Sequence, residues 1–353
     1  MQLDMHFYGV YALCRAAGIN EEHAKIIAFS SQFVDDARGD DTLVFKTEKT
    51  AILPTMTSHK PLDYKNAIEE DQWRVWVCFH FLPGDDPKAK TYIQRMVCSM
   101  NSEPARAILK FAISNKNESF SSYLCGIIAH VYADTFAHRD FIGLSTKMNL
   151  VEAGSIKTKI KSKNILKYVI KKMGIFFDRV KGTGAEIIPM GHGAVATLPD
   201  RPYLTWEYRY EKRNRKKVKR TNWKDFHQAS KLLHQYFKDF LKDNPSKGNM
   251  NEAVEWSTIS GKIEKILKKE GSKKNRIEQW KKAIKSNSLF IASEKDKEIK
   301  YKEKSWYLSK KVRKKMSENE IKNQHLYHFY KAAWKYRNFV LYELLPERGL
   351  LVK

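Results

Sequence analysis

Residues 126–141 read GIIAHVYADTFAHRDF, in which His130, Asp134 and His138 are spaced four apart. On an α-helix this spacing lines three side chains along one face, about one turn apart. A carboxylate between two imidazoles suits zinc or a similar divalent ion, and Asp134 is placed to bridge two of them. The neighbours Ile127, Ile128, Val131 and Phe136 are apolar, so the face is expected to be buried. A buried row of this kind is costly unless a metal or matched hydrogen bonds satisfy it.

Other residues of the same chemistry lie along the first two-thirds of the chain. They are His6 in LDMHFYG, Asp35 and Asp36 in SQFVDDA, and His59 in PTMTSHKP. His192 follows in a GHG turn, with Asp200 and Arg201 shortly after it. His80, in VCFHFLPG, is a further candidate, although its apolar neighbours favour a hydrogen-bonded core histidine and leave its place in the site open. His23, His227, His234, His325 and His328 lie on polar or basic helix faces and read as surface residues. Cys14, Cys78, Cys98 and Cys125 form no CxxC pair and read as buried free thiols of a reducing compartment.

The elements that position these residues are expected to be helices. Gly and Pro number only 16 and 10 in 353 residues, too few turn formers for a fold of many short strands. Helical periodicity covers 6–18, 21–34, 103–114, 119–138 and 165–180, with Asn20 as a cap and Gly18 as a stop. Residues 38–62 read as loop with short extended pieces, and 181–210 as a structured loop. Amphipathic helices follow at 223–242, 251–270, 274–288 and 318–345. The fold class is therefore mainly α: a helical metal-site domain over 1–210, then a basic helical region over 211–353. No stretch reaches the ~18 apolar residues of a membrane span. The N-terminal segment has no basic n-region and carries Asp4 and His6, so it does not read as a signal peptide, and a cytoplasmic location is expected.

Charge divides unevenly about residue 210. Residues 211–353 hold 38 Lys+Arg against 17 Asp+Glu, a net +21, and residues 1–210 only +4. The densest run, EKRNRKKVKR, offers Arg213, Arg215, Lys216, Lys217, Lys219 and Arg220. Such a surface, interleaved with Trp and Tyr, can neutralise phosphates and stack bases. Nucleic acid or nucleotides are the expected partners, and anionic lipid headgroups would be drawn to the same surface.

The order of the candidate ligands resembles the zinc phospholipase C and P1-type nuclease superfamily. On that resemblance His6, Asp36, His59, His130, Asp134, His138, His192 and Asp200 would hold two divalent ions, zinc or a similar ion such as manganese. Asp35, or Asp36 if their roles are exchanged, would orient the attacking water, and Arg139 and Arg201 would neutralise charge on the phosphoryl oxygens. The implied activity is phosphodiester hydrolysis of nuclease type, by hydroxide that the ions make available. In that superfamily the N-terminal Trp amine is itself a ligand, whereas this chain begins at Met1. The chain is also similar to an uncharacterised bacterial family sharing MQLDMHFYGVYAL, SQFVDDA and AHVYADTFAH, over roughly the first 210 residues. Two alternatives stand beside this reading. One is a phospholipase C-like lipid phosphodiesterase. The other is a non-catalytic nucleic-acid-binding protein with a structural metal. A His-Asp type phosphohydrolase needs an adjacent His-Asp dipeptide, and none occurs.

Overall fold

Helix α1 (Val10–Ala16) continues a π-helical turn, Asp4–Gly9, that carries His6. Gly18, at φ +90°, ends this segment. A Cβ there would sit 2.4 Å from Asn249 O, so the position needs glycine for both conformation and space. Asn20 then caps α2 (Glu21–Asp36) by accepting the His23 N–H. These observations come from a computed structural model that describes residues 1–39, 42–45, 50–60, 63–152, 154–181, 189–307, 309–313 and 315–351. The expected loops at 38–62 and 181–210 lie partly outside the described residues.

Next come α3 (Glu103–Ser114) and α4 (Ser121–Ala137). Every residue of α4 is buried, which fits a sequence apolar on all sides and makes it the central helix. It packs against α2 and α3. Later in the chain α5 (Lys163–Lys181), α6 (Asn222–Asp243), α7 (Trp256–Lys268), α8 (Lys273–Lys285) and α9 (His325–Phe339) follow, and α6 and α9 also pack on α4. Helices α2 and α4 approach closely at Gly126, where a Cβ would lie 2.2 Å from Ile27 O of α2. The absent side chain lets the two backbones touch and fixes the register in which their C-terminal ends meet.

Strands are few. β1 (Leu43–Phe45) pairs antiparallel with β2 (Thr50–Ile52). β3 (Lys157–Lys159), β4 (Thr205–Arg209) and β5 (Lys217–Thr221) form an antiparallel sheet in the order β3-β4-β5. Phe81, Phe141, Trp206, Tyr208 and Tyr210 build a small core against it.

The expected boundary at residue 210 is corrected by this architecture. It falls in the connection between β4 and β5, which are hydrogen-bonded to each other. A single apolar core joins Phe7, Ile27 and Ile128 to Phe237, Trp280 and Phe329. The change in charge at residue 211 therefore marks a change of surface, and the core does not divide there. Among the described residues, no helix is long and apolar enough to cross a membrane. All four cysteines are buried free thiols.

Candidate metal centre

The C-terminal ends of α2 and α4 meet the π-turn at His6, the segment after a second π-helical turn (Gln72–Val77), and the GHG turn. Helix C-termini carry partial negative charge, which favours a cation where two of them converge. π-turns interrupt regular helix and recur at functional sites, and here one carries His6 and the other leads directly into His80. Gly191, at φ +54°, packs against the Phe81 ring, where a Cβ would lie 2.2 Å from Cζ, and so brings His192 in.

Asp134 is the hub, and it is almost fully buried. Its Oδ1 lies 3.2 Å from His6 Nε2. Its Oδ2 lies 3.1 Å from His130 Nε2, 3.4 Å from His80 Nδ1 and 3.5 Å from His138 Nδ1. Asp200 extends the cluster, 3.3 Å from His138 Nε2 and 3.8 Å from His192 Nε2. Asp35 reaches within 4.0 Å of His80 Nδ1. The buried Met1 amine pairs with Asp134 and lies 3.3 Å from Asp200.

Four rings are oriented by backbone carbonyls. His130 Nδ1 donates to Ser31 O at 2.7 Å, His80 Nε2 to Thr57 O at 2.8 Å, His138 Nδ1 to His80 O at 2.8 Å, and His192 Nδ1 to Ala196 O at 2.6 Å. A carbonyl only accepts, so each of these nitrogens carries the hydrogen, and in a neutral ring the other nitrogen presents a lone pair to the cluster. This is how metal-ligating histidines are held: the outer N–H is fixed and the inner nitrogen is free. Neither nitrogen of His6 makes a well-formed hydrogen bond, although the residue is fully buried and its Nε2 lies 3.2 Å from Asp134 Oδ1.

Three groups of donors lie close enough to hold an ion: His6, His130 and Asp134; Asp35, His80 and His130; and His138, His192 and Asp200. Burial pushes the His6 and His80 imidazoles below their usual range and His192 down to about 4, so they stay neutral and able to coordinate. Burial alone would raise Asp134, but the electrostatic pull of its neighbours, His138 first and then the Met1 amine, holds it well below the carboxylate range. Burial disfavours charge on the amine, yet Asp134, Asp200 and Asp35 outweigh that and raise it to about 10. The buried His/Asp clusters can therefore bind metal ions.

The structure gathers most of the expected ligands and moves several others. His6, His130, Asp134, His138, His192 and Asp200 converge. Asp36 does not: Tyr301, Gln32 and Arg38 occupy its carboxylate, and Asp35 is the one that faces His80. His59 is buried but sits beside Asp71, at 3.7 Å, outside the three groups. His80 joins the cluster in its place, although its apolar neighbours favour a core histidine. Arg139 is turned away, with Nε on Asp225 and Nη1 on Asp140, each at 3.0 Å. His234 is buried and directed at Ala16 O, so it is not a surface residue.

The basic run is likewise split. Arg220 is buried, donating to Phe136 O, and Arg213 stacks on Tyr210 and donates to Asp140 O. These two are fold residues. Arg215, Lys216, Lys217 and Lys219 remain exposed.

With this geometry in view, one comparison with known sequences is positive. The chain belongs to the Family of unknown function (DUF6765), whose profile matches residues 1–344. The match extends through the basic C-terminal helices, well past residue 210, in keeping with the shared core. No curated protein and no solved structure matches the chain.

Proposed function

We propose that the chain is a divalent-metal-dependent phosphoesterase, acting on phosphodiesters of nucleic acid or nucleotides. The observation that carries this reading is the fixed orientation of His80, His130, His138 and His192. Each gives its outer N–H to a carbonyl and turns its inner nitrogen toward carboxylates shared by neighbouring groups. Two zinc ions, or manganese or similar ions, would be held by these residues. When bound, such ions polarise phosphoryl oxygens and lower the pKa of water.

The chain's own residues supply the rest. Asp35, the least buried carboxylate of the cluster, stands at its outer edge. Burial pushes its carboxyl up, the direction that makes it a better proton acceptor. Exposed Arg215, Lys216, Lys217 and Lys219 provide a basic approach for an anionic polymer. A phospholipid substrate would use the same cluster, so turnover of single-stranded DNA against phosphatidylcholine vesicles separates these substrates.

The test is hydrolysis of bis(p-nitrophenyl) phosphate by protein supplied with zinc or manganese. Turnover that vanishes in Asp134→Asn supports the proposal. A second reading has its own observation: His6, His130 and Asp134 are almost wholly shielded from solvent, as in a structural metal site. Metal-replete protein that turns over no phosphodiester would establish that reading and end the catalytic one.

A further inference from the structure

Arg201 follows Asp200 directly, and its guanidinium is buried with only one bond made. Nη2 donates to Thr197 Oγ1 at 3.1 Å, while Nε and Nη1 have no partner. Among the described residues, no carboxylate pairs with it. The side chains of Tyr168 and Tyr203 lie close enough to feel the Arg201 charge, and the Tyr203 hydroxyl is itself buried without a well-formed hydrogen bond. The Tyr168 ring lies 5.2 Å from Arg201 Cζ.

Arg276 also lies near Tyr203, with Cζ 6.0 Å from its ring. It is also buried, but Asp4 neutralises it through bonds of 2.7 and 3.1 Å. The pair of arginines thus carries one uncompensated positive charge away from water. Burying a guanidinium without a counter-charge is costly, so the arrangement calls for an anion.

Two stretches of chain place this charge beside the metal centre. Asp200 is in the centre and Arg201 is the next residue. The Met1 amine is in the centre and Gln2 accepts from Arg276 Nη2 at 2.6 Å. Along the chain Arg201 is therefore one residue from Asp200 of the centre, and Arg276 is hydrogen-bonded to the residue that follows Met1.

We propose that Arg201, with the Tyr203 and Tyr168 hydroxyls, forms an oxyanion subsite that holds a phosphoryl group next to the metal centre. A tetrahedral phosphate offers acceptors in several directions, which suits Nε and Nη1 pointing different ways and a hydroxyl beside them. The subsite deepens the phosphoesterase reading and rests on it for its role in substrate binding, but its affinity for phosphate is a separate property.

The experiment is calorimetric titration of inorganic phosphate into the full chain, both metal-replete and after chelation, with metal content measured in parallel. Wild-type protein is expected to bind phosphate in both states. Arg201→Met is expected to weaken binding by ~10-fold or more, the loss typical of a charge-assisted bond, with metal content unchanged. Tyr203→Phe, which keeps the ring and therefore the packing, is expected to weaken it by several-fold, and it decides the matter should Arg201→Met fail to fold. Unchanged phosphate affinity in folded variants overturns the subsite, even if Arg201→Met melts lower. Phosphate binding through Arg201 in a protein that hydrolyses no ester would keep the subsite and remove the catalytic reading. Ester turnover with the same KM in Arg201→Met would do the reverse.

Discussion

His130 Nε2 lies 3.3 Å from His80 Nδ1, while each ring gives its other nitrogen to a backbone carbonyl. In neutral rings that arrangement sets two lone pairs against each other. It is relieved by a cation between them, either a proton or a metal ion. His80→Gln is therefore expected to lose one ion while the His138, His192 and Asp200 group keeps its own. Elemental analysis of the variant checks this, and full retention of metal would remove His80 from the ligand set.

Gly126 is the point at which α2 and α4 come together. Gly126→Ala places a methyl 2.2 Å from Ile27 O and 2.7 Å from Ser30 Cβ. The helices must separate, at a cost of about 1–3 kcal/mol. The separation should also lengthen the bond from His130 to Ser31 O and weaken metal binding. Gly261, in α7, is exposed with nothing near its missing Cβ, so Gly261→Ala should instead stabilise by about 0.5–1 kcal/mol. Denaturant melts of both variants test the pair, and equal effects would contradict the packing argument.

Asp296 ties the C-terminal half to α1. It accepts from Tyr11 Oη at 2.5 Å, Arg15 Nε at 2.9 Å and Ser293 N at 2.8 Å. Burial disfavours its charge, but Arg15, Tyr11 and Ser293 together hold its carboxyl below the usual range. A carboxyl lowered on folding adds stability above its unfolded pKa, about 3.9, and that contribution fades as pH falls through the folded value. Asp296→Asn should cost about 3–5 kcal/mol near neutrality, because Arg15 is left unpaired. It should also flatten the acid limb of the stability curve. An acid limb identical to wild type would show that this pair does not set it.

The basic hairpin separates by burial. Neutralising exposed Arg215, Lys216 and Lys219 should weaken single-stranded DNA binding and reduce the salt slope by about 0.7 for each phosphate no longer neutralised. Melting temperature should not change. Arg220→Ala should lower stability, since it removes a buried guanidinium from Phe136 O and Asp225. Unchanged DNA affinity in the triple variant would leave the exposed run as a solvated surface.

The helical frame was legible because its signals are local: Asn20 and Gly18 mark ends, and the four-residue spacing in α4 aligns His130 with Asp134. His80 was not, because apolar neighbours surround a core histidine and a ligand alike. Its role depends on the Thr57 carbonyl and on Asp134, both distant in sequence. Asp35 and Asp36 are consecutive on a helix and point about 100° apart, so choosing between them needs the face that α2 turns to α4. Arg220 could have been read. In KVKRT the two-residue period of a strand puts it on the same face as buried Val218. The charge step at residue 211 suggested a domain boundary because charge reports the surface, whereas domains are defined by cores.

The central claim is that the His/Asp cluster holds metal. The direct measurement is elemental analysis of wild-type protein, purified without chelator from cells supplied with zinc and manganese. The tag belongs at the C-terminus, since the Met1 amine lies within the cluster. About two divalent ions per chain are expected, with removal by chelator lowering the melting temperature and re-addition restoring it. Protein that carries no divalent ion after this preparation, and whose melting temperature does not rise when zinc or manganese is added, would contradict the account.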